Sequence, residues 1–397
     1  MNSIITPDNT WVVWALIMVG TAACIYWEQT YRWAAKLTGP VLALLIGMIL
    51  SNFKLMPTES GTYDLVEDYL VPVAIPLLLF RANVVRILRE TGPMLAAFHV
   101  AALGTVIGAF LAAFVFRGMV DHLPEVAGIM TGSYIGGAVN FMAIKGTYQV
   151  SENLTNPLLV ADNFIMAGMF AALLLMAGSR FLRRHYPHPH SLEGDKEDVA
   201  ALAARHWRRK EISLLDIAKA LAIAFAVTAL ATQFTGFLKD HIESKIYQSV
   251  IGNRYVWITF LTVALTTCFP RRMESIQGAE DLGMYLLYLF FFVIGLKADL
   301  VVVVTKVPVL FAFCLVIAVT NLLIALLLGK LFRMNLEELL LSVNATLGGA
   351  PSAAAMAISR GWSNLVLPGL LAGIWGYVIG TFVGIVVAEA LLRVFSP

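Results

Sequence analysis

The sequence has little charge. Asp, Glu, Lys and Arg make up 14% of its 397 residues, against roughly 25% in an ordinary soluble domain. That scarcity excludes a normal water-facing surface for most of the chain. Only three cysteines occur, Cys24, Cys268 and Cys314, far apart in or beside apolar stretches, so neither a disulfide framework nor a metal-ligand spacing is present. No GxxxxGK[ST] phosphate loop occurs, which argues against an ATP-driven pump within this chain. HExxH and GxSxG are also missing, which leaves little case for an intramembrane hydrolase. An enzyme is therefore not expected, and no cofactor beyond a bound Na⁺. The net charge of +2 is too small to suggest a nucleic-acid partner.

What is abundant is apolar sequence, at 59%. Its runs are continuous, as in LAAFHVAALGTVIGAFLAAFVF, and reach the roughly 20 residues that cross a bilayer. Only helices and closed barrels satisfy their backbone in lipid, and barrel strands alternate apolar with polar residues. The expectation is an all-α polytopic membrane protein with the bilayer as its main partner. Twelve runs qualify as spans: 11–27, 37–52, 66–80, 93–117, 125–145, 157–180, 213–234, 250–269, 281–297, 307–331, 336–359 and 364–392. The first follows MNSIITPDNT, which has no basic stretch, so it reads as a span rather than a signal peptide.

One long polar insert, 181–212, contains RRHYPHPH, EGDKED and RHWRRK and reads as a linker between two halves, 1–180 and 213–397. The halves share four features in the same order. Glu67-Asp68 and Glu280-Asp281 each precede an apolar run, ending at Arg81-Ala82-Asn83 and Lys297-Ala298-Asp299. Pro93 and Pro308 mark the next helix. Ser133–Ala143 then matches Ala345–Ala357, and a polar link with a long final helix closes each half. This order indicates an internal repeat.

Lys and Arg gather on the cytoplasmic side of a membrane. The insert, with Arg180, Arg183, Arg184, Arg205, Arg208, Arg209 and Lys210, belongs there, and Arg271-Arg272, Lys330, Arg333 and Arg393 agree. Arg81, Arg86 and Arg89 also look cytoplasmic, yet three spans separate them from the insert. An odd number of crossings cannot return to one side. Either the count is off by one, or one positive cluster lies outside, as inverted repeats would give.

The segments that carry chemistry are the interrupted ones. Gly136-Gly137 and Gly348-Gly349, the latter followed by Pro351, are poor sequences for regular helix. Tight packing of small residues is one reading. The other, favoured by the matching positions, is a pair of broken helices lining a binding site, whose free N–H and C=O groups meet a solute or ion. Ser133, Tyr134, Gly137, Asn140, Asn344, Thr346, Gly349 and Ser352 would face the solute. Asp162 and Asn163 lie in the apolar run after the first break. A carboxylate within a span is functional by default. Asp162 suits Na⁺ or a proton, with Asn163, Gly136 and Gly348 beside it, and the matching Leu370-Leu371 holds no acid. Lys145 and Arg360 end the two interrupted helices and either attract an anion or reach the membrane surface. His99 and Asn321 read as helix–helix contacts.

The stretches LLLFRANVVRILRETGP, GSYIGGAVNFMA, VADNFIMAG and LGGAPSAAAMA resemble the YjcL-like family of uncharacterised membrane proteins found in bacteria and plastids, over nearly the whole chain. That resemblance implies membership in the superfamily of cation:proton antiporters and bile-acid:sodium symporters. It implies inverted repeats and a multi-pass protein of the bacterial inner membrane. It also implies panel helices (about 11–80 and 213–297) that form a homodimer. The core helices (about 93–180 and 307–392) would hold two crossing breaks and move as an elevator. Asp162-Asn163 resembles the cation-binding pair of the antiporters but departs from the two-aspartate form, which suits a single-cation site. Three functions fit: a secondary transporter coupling Na⁺ or H⁺ to a small organic anion or zwitterion; a Na⁺/H⁺ antiporter; or a scaffold or receptor.

Overall fold

The computed structural model describes residues 3–31, 34, 39–192, 211–241 and 251–395. The stretches EGDKED and RHWRRK, with Arg205, Arg208, Arg209 and Lys210, lie outside them. Among the described residues the elements are all helical. Each of the twelve apolar runs carries a helix: α1 (Thr10–Thr30), α2 (Gly39–Asn52), α3 (61–78), α4 (Pro93–Val115), α5 (Leu123–Tyr148), α6 (Glu152–Ala177), α7 (Leu214–His241), α8 (Arg254–Cys268), α9 (Ala279–Leu296), α10 (Leu300–Leu331), α11 (Leu336–Ser359) and α12 (Val366–Phe395). Nine described helices are long and apolar enough to cross a membrane by length and composition.

Their outer faces are apolar too. On α4, Leu103, Ile107, Leu111 and Phe114 are exposed, and on α10 Phe311, Leu315, Val319, Leu323 and Leu327 are exposed. Spacing of three or four residues puts each set on one stripe. A stripe of that size facing water would be a liability; against lipid it is neutral. The chain is a polytopic membrane protein.

Two of the long helices do not run from end to end. In α5, Gly137 has φ +68° and ψ −167°; in α11, Gly349 has φ +73° and ψ −173°. This backbone conformation is essentially restricted to glycine, and at both places it reverses the chain. Ile144 Cδ1 packs onto Gly132 and Gly384, and the Tyr148 hydroxyl donates to Glu389 at 3.0 Å. Ile144 and Gly132 would stand about 18 Å apart along an unbroken helix. In α11, a β-carbon on Gly369 would lie 3.1 Å from Leu341 Cδ2 and 3.6 Å from Ala353 Cβ, so both arms touch one residue. Ser352 Oγ donates to Asn344 Oδ1 at 2.9 Å across a separation of about 12 Å in a straight helix. Each is a helical hairpin with its glycine pair at the tip. The expected crossing of two broken helices is replaced by two hairpins that fold back, because a single positive-φ glycine turns the chain through far more than a kink.

The hairpins enter from opposite ends of the bundle. The ends of α5 lie with the amino terminus. Ile4 N–H donates to Lys54 O, Asn52 Nδ2 to Ala298 O, Asn253 Nδ2 to Thr147 Oγ1, and Lys306 pairs with Asp121. The ends of α11 lie with the linker: Leu336 N–H donates to Pro187 O, and Glu338 faces His190. Arg81 and Arg86 pair there with Glu280 and Glu274. The conflict between the charge clusters is thereby resolved. Between Arg81 and the insert, α4 and α6 run end to end while α5 returns to where it began, so both clusters share the linker end. The same change moves Arg393 away from the insert, to the amino-terminal end with Glu389 and Tyr148.

Candidate functional site

The hairpins are held by α12. Its Gly369, Gly373, Gly376, Gly380 and Gly384 fall on one face by their spacing. Gly128, Gly132 and Gly136 of the first hairpin meet Gly384, Gly380 and Gly376 backbone to backbone. A β-carbon on Gly128 would lie 2.7 Å from Gly384 O, and one on Gly136 would overlap Gly376 O. Gly373 meets Ala350 of the second hairpin in the same way. Small residues let helices in lipid approach this closely. So the packing reading holds for Gly128, Gly132 and Gly136, while Gly137 and Gly349 make the turns.

Both tips meet Tyr377 of α12. Its ring lies against Gly137 and Gly349; a β-carbon on Gly349 would be 3.1 Å from the Tyr377 hydroxyl. The hydroxyl also faces the Ala350 N–H, the first of the returning arm. The returning arms begin at the two tips, so two helix N-termini converge there, each with free N–H groups and partial positive charge. Pro351, suited to a first helical turn, is exposed, and Gly137, Ala138, Gly348 and Ser352 are half-buried. Asn344 is buried, and its Nδ2 has no hydrogen-bond partner among the described residues.

Asp162 sits on α6, four percent exposed. Ser133 Oγ donates to its Oδ2 at 2.9 Å. The Tyr134 hydroxyl and the Cys314 thiol lie beside it. Asp162 Oδ1 and the Tyr134 hydroxyl lack a partner of good geometry. No cationic side chain pairs with Asp162 among the described residues. An ionised carboxylate is costly to bury without a counter-charge, and that is the electrostatic demand this pocket presents. Ser133 and Tyr134, expected to face the solute, instead serve Asp162. Asn163 is turned away and donates to Leu159 O of its own helix at 2.8 Å.

The other polar residues bind helices together. Asn140 Nδ2 donates to Gly136 O at 2.8 Å and Gly376 O at 3.3 Å, and Thr381 Oγ1 donates to Asn140 Oδ1 at 2.5 Å. Asn140 thus ties the first tip to α12. Asn321 Nδ2 donates to Thr105 Oγ1 at 2.7 Å and to Thr346 Oγ1 at 3.1 Å; Thr105 Oγ1 donates to Tyr134 O at 3.1 Å. This chain joins the outgoing arms of both hairpins, so Thr346 is a link between them. His99 accepts from Trp375 Nε1 at 3.1 Å, the expected helix–helix contact.

A charged seam lies at the amino-terminal end. Lys145, ending the first hairpin, pairs with Glu152 at 2.6 Å and with Glu67 at 3.5 Å. Lys297 pairs with the same Glu67 at 2.5 Å and with Asp64 at 3.6 Å. Glu67 sits on a π turn, Val66–Leu70, a local widening that recurs at functional sites. A cavity of about 330 Å³ lined by Glu67, Lys145, Glu152, Arg254 and Tyr255 opens beside it, and one of about 990 Å³ lies across Glu152 and Lys297.

Four of these features were not evident from the sequence. Tyr377 and Cys314 are single residues in apolar helices. The glycine spacing of 369–384 was visible but carries no partner identity. Thr105 gave no signal.

The family model described as "Protein of unknown function (DUF819)" matches residues 15–394. The "Uncharacterized membrane protein YjcL" of Bacillus subtilis (strain 168) is 41% identical over 385 residues, covering 97% of each chain. With both matches spanning the two hairpins, Asp162 and α12, the chain belongs to the DUF819 family of membrane proteins.

Proposed function

We propose that this protein is a secondary active transporter that moves a small organic anion or zwitterion, coupled to H⁺ or Na⁺. The observation that carries the reading is the meeting of two oppositely inserted glycine-tipped hairpins at Tyr377. Irregular backbone is tolerated at membrane depth where it is buried or lines a cavity, and half-helix N-termini at mid-depth are suited to a carboxylate. Asn344, Ser352, Tyr377 and the N–H groups after Gly137 and Gly349 would hold the solute.

Asp162 would carry the coupling ion. Hard cations are held by several carboxylate and carbonyl oxygens, but Tyr134 O and Gly136 O are already engaged by Thr105 and Asn140. The remaining donors are two hydroxyls and a thiol. This set favours H⁺ over Na⁺.

The helices fall into two packing groups that support an elevator. The panel would be α1–α3 with α7–α9, and the core α4–α6 with α10–α12; α9 packs on α2 and α3, while α12 packs on both hairpins. The charged seam joins the groups and would be where they slide. The inverted hairpins support inverted repeats and the antiporter–symporter superfamily. With the linker end in the cytoplasm, ten helices cross and the hairpins are re-entrant. A homodimer through the panel would leave the core free to move.

The test is uptake of an organic-anion panel into proteoliposomes under imposed pH or Na⁺ gradients. The expected result is uptake driven by the pH gradient and abolished by Asp162→Asn. Gradient-driven uptake that survives in Asp162→Asn would overturn the coupling role. A second reading, cation–proton exchange without solute, is favoured by the enclosure of Asp162. It predicts Na⁺-driven proton movement in vesicles containing no organic anion.

A further inference from the structure

Lys145 and Arg360 occupy comparable places, at the ends of the returning arms of the two hairpins. Their surroundings differ. Lys145 is neutralised by Glu152 and Glu67. Arg360 has no acidic partner among the described residues; the charged group that faces it is a second cation, Arg183. Its Nε is buried and has no acceptor. Arg183 directs Nε and Nη2 to Ala177 O at 3.1 and 3.0 Å, which fixes its guanidinium while leaving Nη1. Burial, then the charge of Arg183, holds Arg360 below its usual range. Two half-buried guanidinium groups, each within reach of the other's charge and one with a buried unmet donor, are stabilised by an anion that both can meet.

We infer that Arg183 and Arg360 form a site for a phosphate-class oxyanion at the mouth of the second hairpin. The planar fork of arginine matches the spacing of phosphate oxygens. The site belongs to the linker end, where Phe181, on the same short helix as Arg183, and Leu331 and Phe332 are exposed. Apolar residues beside a cationic pair are what a lipid phosphate meets at a membrane surface. The same pair would take a free phosphate from solution. The site is separate from the hairpin tips, so it stands whether or not the transport reading does.

The test uses purified full-length protein in neutral detergent. Thermal unfolding is followed in sodium phosphate and in sodium chloride at equal ionic strength. In parallel, native mass spectrometry follows retention of phosphatidylglycerol against phosphatidylcholine. The expected result is a higher Tm in phosphate, retention of phosphatidylglycerol, or both. Arg360→Gln and Arg183→Gln should each weaken binding at least about tenfold, and Arg360→Lys should keep part of it. Retention without a phosphate shift assigns the site to lipid, and a shift without retention assigns it to a soluble anion. Neither effect in the wild type, or unchanged effects in both glutamine variants, would overturn the site. Should Arg360→Gln fail to fold, Arg183→Gln on its short peripheral helix carries the test.

Discussion

Ser133 Oγ donates to Asp162 Oδ2 at 2.9 Å, linking the outgoing arm of the first hairpin to α6. The bond joins that arm to the one carboxylate buried in α6, so an ion held at Asp162 would be coupled to the position of the arm. Ser133→Ala should leave the fold intact, since removing one hydroxyl bond costs about 1 kcal/mol. Its effect should fall on the concentration dependence of the driving ion in vesicle uptake. Asp162→Asn, nearly the same shape, should abolish ion dependence while Tm stays level or rises, because a charge that is costly to bury is gone. Loss of folding in Asp162→Asn would contradict this.

The two glycines at the first tip should respond differently. Gly136 is packed against Gly376 O and Asn140 Nδ2, so Gly136→Ala forces the hairpin away from α12. Gly137 has space around it, with Tyr377 Cε1 3.6 Å away, but holds φ +68°. Gly137→Ala should therefore cost only backbone strain, about 1–3 kcal/mol. Urea or thermal unfolding in detergent should rank Gly136→Ala as the more damaging.

The return of each hairpin to its starting end can be read by labelling. With the exposed Cys268 replaced by serine, single cysteines at His122 and Gln149 should react with an impermeant maleimide from one side of the membrane. Cysteines at Asn335 and Gly361 should react from the other. Labelling of His122 and Gln149 positions from opposite sides would show α5 to be a crossing helix.

The seam makes a graded prediction. Lys145 is nearer Glu152 than Glu67, at 2.6 against 3.5 Å, while Glu67 also holds Lys297. Glu152→Gln should lower stability more through Lys145, by roughly 1–3 kcal/mol for a charge-assisted bond. Glu67→Gln should loosen both lysines at once, leaving Lys145 to Glu152 and Lys297 to Asp64, and change transport rate more than stability. Equal effects of the two variants on rate would remove Glu67 from the proposed sliding interface.

Much of this was legible in the chain itself. Continuous apolar runs with scarce charge determine helices in a bilayer, because the other arrangement that satisfies the backbone there, a closed barrel, needs strands that alternate apolar with polar residues. The paired Gly-Gly segments and the lone Asp162 were visible for the same reason: each is costly in lipid unless something uses it. The direction of the chain after each glycine pair was not visible. A break and a reversal need the same residues; only the contact of Ile144 with Gly132, and of Ser352 with Asn344, distinguishes them. Tertiary structure alone also decided that Asn163 turns to its own helix, that Tyr377 joins both tips, and that Lys145 has acidic partners while Arg360 has none among the described residues. Those outcomes depend on which distant helix faces each side chain, which periodicity along one strand of sequence does not contain. The charge clusters alone left the path between Arg81 and the insert open; the return of α5 to its starting end is what lets both lie at one end of the bundle, and only the folded hairpin supplies that physical reason.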